Sequence, residues 1–215
     1  MSIHERKERE KERRRQQILV AAKKIISRKG FNNTIIEDIA AEAELSPGTL
    51  YNYFKNKEEL FAFLSLRLFQ FLNIWVEQAL KNGNTDPVRR LENLVEALHD
   101  VYHFDPQTFI YIFHVQSDKT KINLSSELLS EFKRLSRKSI DIIAGIFKEG
   151  VQNGRFVDKP PDLLAGILLA LFTGVALWSE GKKVAFNQED DLKQKLVFAF
   201  DLFSRGIKKQ DKPAE

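Results

Sequence analysis

At 215 residues, with 43% hydrophobic and 30% charged side chains, the chain is long enough for one or two domains with a sizeable core, and too apolar to be disordered. It has no cysteine, which excludes disulfides and thiolate metal sites and suits a reducing cytoplasm. The net charge is +4, and residues 1–60 hold most of the excess, 13 Lys and Arg against 10 Asp and Glu; so small an excess makes attraction to phosphate a matter of local placement. The opening residues are charged, so no signal peptide is expected. No apolar run reaches about 18 residues without a charge or a break, so no membrane-spanning helix is expected either; Leu163–Trp178 comes nearest.

Residues 5–15, ERKEREKERRR, are a mixed charge run with two readings: a solvated helix held by i,i+4 pairs, or an arm that reaches a nucleic-acid backbone. Arg13, Arg14 and Arg15 are its best phosphate candidates. Ile18, Leu19, Ala22, Ile25 and Ile26 then make the apolar stripe of a first helix. Gly30 is placed to end that helix in a left-handed cap, with Phe31 folding back.

Residues 34–60 read as two short helices, a tight turn between them, and the start of a third. Thr34 is placed as N-cap of the first, with Glu37 completing a capping box. Ile36, Ile39, Ala40 and Ala43 form its apolar face, and Ala43-Glu44-Leu45 leaves room only for a turn. Ser46 is a good N-cap and Pro47 suits the first helical position. Leu50 and Phe54 point inward, leaving Gly48, Thr49, Asn52 and Tyr53 outward. That outward set suits a nucleic-acid groove. Gly48 lets the backbone approach closely, and Thr49 and Asn52 suit base edges. The hydroxyls of Tyr51 and Tyr53 suit phosphate oxygens. Asn56 and Glu59 are placed to cap the next helix. Lys57 sits in its first turn, where a cation is better explained facing a phosphate than facing the helix dipole.

The remainder reads as helices only. One runs from about Asn56 to Lys81, stopped by Asn82-Gly83-Asn84. The next starts at Asp86-Pro87 and carries Leu91, Leu94, Val95, Leu98 and Tyr102. A short one follows Asp105-Pro106, and residues 117–124 are a polar connection. Further helices are expected at about 125–152, 161–180 and 190–208, with Gly181–Asp190 as a loop. No strand alternation and no internal repeat is visible, so the predicted fold is all-α with about nine helices.

These residues carry a resemblance to the DNA-binding domain of TetR-family transcriptional regulators. The matching positions run from Arg15-Gln16-Gln17-Ile18-Leu19 through Ala21-Ala22, Lys29-Gly30-Phe31, Thr34, Asp38-Ile39-Ala40, Ala43, Ser46-Pro47-Gly48-Thr49-Leu50-Tyr51 and Tyr53-Phe54 to Lys57-Glu58-Glu59-Leu60. The resemblance covers residues 12–65 and implies a helix-turn-helix domain at 1–56, followed by an effector-binding and dimerisation domain at 57–215. It also implies that Ser46, Pro47, Gly48, Thr49, Tyr51 and Tyr53 would contact the groove and backbone, with Thr34 and Lys57 clamping phosphates. One position departs: the turn usually carries Gly where this chain has Glu44, and a positive φ there would cost about 1 kcal/mol.

Two further features bear on partners. The segment 161–180 is apolar nearly all round, with small residues Gly166, Ala170 and Gly174 every fourth position; Leu177 lies beyond them, and Leu196, Phe200 and Phe203 follow on the last helix. Such helices are either buried within one protomer or paired with their copies in an isologous interface. The resemblance implies the homodimer, and with it a palindromic double-stranded operator. Residues 61–215 hold fifteen of the seventeen Phe. Phe104, Phe109, Phe113, Phe132, Phe147 and Phe172 are candidates to line an apolar cavity, or are plain core. The resemblance implies a cavity for a small hydrophobic effector whose binding releases DNA. His99 and His103 share a helix face, with His114 further on, but no other ligand is fixed by spacing, so no metal is expected. No nucleophile–base set, P-loop or dinucleotide fingerprint appears, so neither an enzyme nor a cofactor is expected. The expected function is a cytoplasmic, ligand-responsive regulator, most simply a repressor. The alternative is an architectural or cell-division factor of the same fold without an effector.

Overall fold

The computed structural model describes residues 2–81, 86–117, 125–186 and 191–209; among them the regular secondary structure is helical, apart from one isolated antiparallel bridge between Phe156 and Lys208. The described helices are α1 (Ile3–Lys29), α2 (Ile36–Glu42), α3 (Pro47–Tyr51), α4 (Lys57–Lys81), α5 (Pro87–Phe104), α6 (Pro106–Ser117), α7 (Ser126–Gln152), α8 (Pro161–Phe186) and α9 (Leu192–Ile207). This is the all-α architecture expected from the sequence. The stop at Asn82-Gly83-Asn84, the polar connection from residue 118 to 124, and the side chains of Phe113 and His114 lie outside the described residues.

Most helix starts follow from side-chain caps. The Asn56 side-chain amide oxygen accepts the Glu59 N–H at 2.7 Å, the Asp86 carboxylate that of Val88 at 3.3 Å, and the Asp191 carboxylate that of Gln194 at 2.9 Å. One expectation needs correction. The segment 181–186 is not loop: α8 runs through Gly181 to Phe186, because one glycine in an otherwise helical run weakens a helix without ending it. α4 and α8 each contain a stretch, Lys57–Leu80 and Pro161–Lys182, that is long and apolar enough to cross a membrane by length and composition alone. Both bury apolar side chains inside the protein instead, among them Leu60, Phe61, Leu168 and Phe172.

The chain folds as two compact units, Met1–Leu68 with Pro106–Glu131, and Phe69–Asp105 with Phe132–Glu215. In the second, α9 lies against α5 and α8. Asn73 on α4 is buried; its amide donates to the Leu135 carbonyl at 3.2 Å, and its side-chain oxygen accepts the Ser139 hydroxyl at 2.9 Å. That pair pins α4 to α7 with polar groups that satisfy one another. The Tyr102 hydroxyl donates to Glu180 at 2.7 Å, joining α5 to α8; burial, then the carboxylate beside it, push the phenol well above its usual range. In the last turn of α7, Gly150 clears a path for the buried Phe156 ring, which a Cβ there would overlap.

Candidate nucleic-acid interface

The helix-turn-helix is built from one small core. Ile18, Leu19, Ala22 and Ile26 of α1 meet Ile36, Ile39 and Ala40 of α2, Leu50 and Phe54 at and just after α3, and Leu60, Phe61 and Leu64 of α4. Phe31 folds onto this core behind Gly30, its ring 4.1 Å from that of Phe61. The turn between α2 and α3 is a Schellman closure, with Leu45 N–H donating to the Ala40 carbonyl at 2.8 Å and Glu44 N–H to that of Ala41 at 3.1 Å. Glu44 takes φ 55°, the one non-glycine positive φ among the described residues, so the chain accepts there the strain that a glycine would avoid. Gln17 on α1 donates from its amide to the Ala43 carbonyl at 3.0 Å and holds the turn from behind. Sequence reasoning missed this contact, since nothing local links positions 17 and 43.

α3 begins as expected. The Ser46 hydroxyl oxygen accepts the Thr49 N–H at 3.1 Å and is 2.8 Å from the Thr49 hydroxyl, with Pro47 in the first turn. The helix is a single short turn, which places Asn52 at its C-cap. Ser46, Pro47, Gly48, Tyr51 and Asn52 are exposed, Tyr51 at 50%. Pro47, Gly48, Tyr51 and Asn52 share one face by helical spacing. A Cβ on Gly48 would meet nothing nearer than the Ser46 hydroxyl oxygen at 4.0 Å, so the fold itself does not require glycine there. Glycine in a helix costs about 1 kcal/mol relative to alanine, and no packing within the chain returns it. Thr49 is half-buried and its hydroxyl is engaged by Ser46. Tyr53 is half-buried against the core, not outward-facing as its spacing suggested.

Three expected phosphate contacts stand differently. Thr34 is fully buried; its hydroxyl donates to the Gly30 carbonyl at 2.7 Å and closes the α1–α2 turn, so that side chain is not presented to DNA. Nor does it cap α2. The cap residue is Ile35, whose N–H donates to Asp38 at 3.4 Å, and Glu37 has no part in it. Lys57 points inward: its ammonium donates to the carbonyls of Phe31 and Thr34, 3.0 Å each, and lies 4.2 Å from the Phe31 ring centre. Arg15 also turns in, lying over the rings of Phe63 at 4.2 Å and Phe54 at 5.3 Å and reaching the Tyr53 carbonyl at 3.5 Å. Both cations position α3 and α4. Lys57→Ala is therefore expected to lower the stability of this unit by about 1–3 kcal/mol, by stranding two turn carbonyls. Thermal melting checks this; an unchanged midpoint with a shallower salt dependence of DNA binding would return Lys57 to the phosphates.

α1 grips the far side of α2 by charge. Lys24 and Arg28 both bind Glu42, and Lys29 binds Asp38 at 2.7 Å. The hydrogen bonds from Lys24 and Lys29 hold the Glu42 and Asp38 carboxyls below their usual range.

The second unit presents another surface. Gly166, Ala170 and Gly174 are exposed on α8, in one stripe with Leu163, Ile167 and Trp178, the last 68% exposed. Leu177 is half-buried. On α9 the expected partner-facing residues are turned inward: Leu196 and Phe200 are buried, and Phe203 packs against Phe147, centroids 6.0 Å apart. The exposed apolar residues of α9 are Val197, Phe198 and Leu202. The expected cavity residues have these surroundings. Phe147 is core between Phe156 and Phe203; Phe104 is exposed and stacks on Phe71 at 3.9 Å; Phe132 meets Phe69 edge-on at 4.9 Å; Phe109 and Phe172 are buried. The His99 and His103 rings are 4.3 Å apart, and no group of three metal-ligating side chains occurs among the described residues.

Residues 18–64 match the model of the tetR family of bacterial regulatory proteins. The chain is 29% identical over 189 residues to the transcriptional repressor DhaR of Mycobacterium sp. (strain GP1), covering 87% of this chain and 90% of that one. It is 27% identical over 196 residues to the transcriptional regulator QacR of Staphylococcus aureus, covering 89% and 97%. Among solved structures it shares its fold with the TetR-family repressor FadR of Thermus thermophilus in complex with lauroyl-CoA, with TM-score 0.64, 23% identity, and 94% and 98% of the two chains covered.

Proposed function

Because the chain belongs to the TetR family of transcriptional regulators, non-enzymatic proteins that bind DNA, typically as dimers, we propose that it is a ligand-responsive repressor that grips a palindromic operator as a homodimer. The observation that carries this reading is the exposed face of α3, where Gly48 stands open beside Tyr51 and Asn52 with no internal reason to be glycine. A groove floor or a phosphate supplies the missing reason, since it needs close backbone approach. Asn52 and Thr49 then face base edges, and Tyr51 reaches a phosphate oxygen.

The exposed stripe of α8, with Val197, Phe198 and Leu202 of α9, supports an isologous contact with the same helices of a second copy. The small side chains of Gly166, Ala170 and Gly174 let the paired helices approach closely. Two copies place two α3 helices about 34–36 Å apart, in successive major grooves. The domains of this reading are the head at 1–56 and the body at 57–215, in the cytoplasm. A small hydrophobic effector releases DNA only by binding one arrangement of the dimer better than the other. Acyl chains are the first class to test, because the FadR structure holds lauroyl-CoA and a further relative, 28% identical over 139 residues, is the fatty acid metabolism regulator of Bacillus subtilis.

Native mass spectrometry tests the assembly and the effector together. The expected species has twice the 24.9 kDa chain mass and carries a small apolar molecule, which dissociates the DNA complex when added back. A monomer, or DNA binding indifferent both to that molecule and to acyl-CoA, contradicts the reading.

A further inference from the structure

Residues 4–17 contain no apolar side chain, and residues 2–13 are exposed along their whole length. They are nonetheless helical, started by a capping box in which Glu5 N–H donates to the Ser2 hydroxyl oxygen at 3.1 Å and Ser2 N–H to the Glu5 carboxylate at 2.7 Å. A helix that is polar all round has nothing in its own chain to pack against. Most of its charges are sorted by face; Glu10, three residues from Lys7 and four from Arg14, borders the cationic stripe and is held by Arg13 at 2.5 Å. Glu5, Glu8 and Glu12 recur at i, i+3 and i+7 along one stripe, and Lys7, Lys11 and Arg14 at i, i+4 and i+7 along another. Continued at the same spacing, the cationic stripe becomes Ile18, Ala22 and Ile25, the buried face of α1. Lys7, Lys11 and Arg14 therefore lie on the side of α1 that α2–α4 cover further along, and they overhang where that cover ends.

The cover ends beside α3. The last covered turn of α1 reaches the residues that flank α3: Gln17 bonds the Ala43 carbonyl before it, and Arg15 the Tyr53 carbonyl after it. At 1.5 Å per residue, Lys11 and Lys7 stand about 6 and 12 Å beyond Arg15 along the helix axis. A duplex presents one phosphate charge per about 1.7 Å of its axis, so DNA engaged by α3 offers phosphates along that overhang. We infer that Lys7, Lys11 and Arg14 form an arm that grips the phosphate backbone flanking the groove entered by α3, an inference that rests on the DNA-reading function proposed above. The arm adds affinity and register without reading sequence. The Glu5–Glu8–Glu12 stripe lies to one side of the cations, on the line that continues to Leu19 and Ile26 at the edge of the same buried face.

The test is the salt dependence of binding to a fluorescein-labelled random-sequence duplex, followed by anisotropy between about 50 and 300 mM KCl. K7Q/K11Q/R14Q is expected to make the slope of log Kobs against log salt shallower by about 0.9 for each phosphate contact removed, near 3 per protomer. Arg14 also donates to Gln17 at 3.1 Å, so K7Q/K11Q serves as the variant that touches nothing else in the fold, with an expected change near 2 per protomer at the same increment. R6Q/R9Q removes two cations from outside the stripe and should leave the slope unchanged. An unchanged slope in K7Q/K11Q overturns the arm, and so does an equal loss in R6Q/R9Q, which would make the effect one of overall charge. Wild-type protein that binds no duplex overturns the DNA-reading function itself, and the arm with it.

Discussion

Gly48→Glu is expected to abolish duplex binding and to leave the protein folded. Position 48 is exposed, and the nearest atom to a new Cβ is the Ser46 hydroxyl oxygen at 4.0 Å, so the substitution meets nothing inside the chain. A glutamate in the first turn of a helix complements the dipole and is a better helix former than glycine. The melting temperature should therefore hold or rise. Toward DNA the same change is adverse twice. It fills the gap through which the backbone approaches, and it sets a carboxylate against phosphates. Two like charges about 4 Å apart, at the effective dielectric of a protein surface, repel by about 4 kcal/mol, so a loss of at least a hundredfold is expected. Tyr51→Ala should weaken binding by a smaller factor, again without loss of fold. Anisotropy and thermal melting on the same sample separate the outcomes. Retained binding by Gly48→Glu would show that DNA does not approach this face of α3.

In the proposed homodimer, Trp178→Glu should convert the assembly to a monomer. Its ring is 68% exposed on α8, in line with Ile167 and Gly174, so within one protomer a charge there is solvated and costs little. In a close-packed helix pair the same charge would be buried without a partner, at several kcal/mol. Gly174→Leu is the steric counterpart, since a Cβ there meets nothing within 4 Å in the protomer, yet it would hold a second helix away. Sedimentation should show each variant at the 24.9 kDa chain mass. DNA affinity should fall with it, because each head then binds alone and loses the effective concentration that the other provided, a factor of roughly 10²–10⁴. A Trp178→Glu protein that sediments as a dimer would remove this stripe from the interface.

Local chemistry was legible in the sequence; long-range partners were not. Ser46, Asn56 and Asp86 act as the expected caps because capping needs only a side chain and an N–H two or three residues on, although the same local reading put Thr34 and Glu37 where Ile35 and Asp38 start α2. The positive φ at Glu44 was visible because the resembled family places glycine there. Lys57 and Arg15 were assigned to phosphates because a sequence shows a cation but not the carbonyls and rings that receive it. The partners of Lys57 are 26 and 23 residues away, and the Tyr53 carbonyl is 38 from Arg15. The phase of α9 was missed for a related reason. Leu196 lies one residue from Val197 and Phe200 two from Phe198, and on an apolar helix the pattern alone does not say which edge faces α5 and α8. The aromatic residues were the least legible, since a phenylalanine that fills a core and one that walls a cavity look alike in sequence. Phe147, between Phe156 and Phe203, fills a core.

The central claim is that two copies of α3 read two halves of one DNA site. Selection of bound sequences from a random library, followed by footprinting of the enriched DNA, tests it most directly. The expected result is an inverted repeat whose half-sites are centred about one helical turn apart, or a multiple of it, with both halves protected together at the stoichiometry of a dimer. DNA no more tightly bound than the unselected pool, or a single unrepeated site protected by one chain, would contradict it.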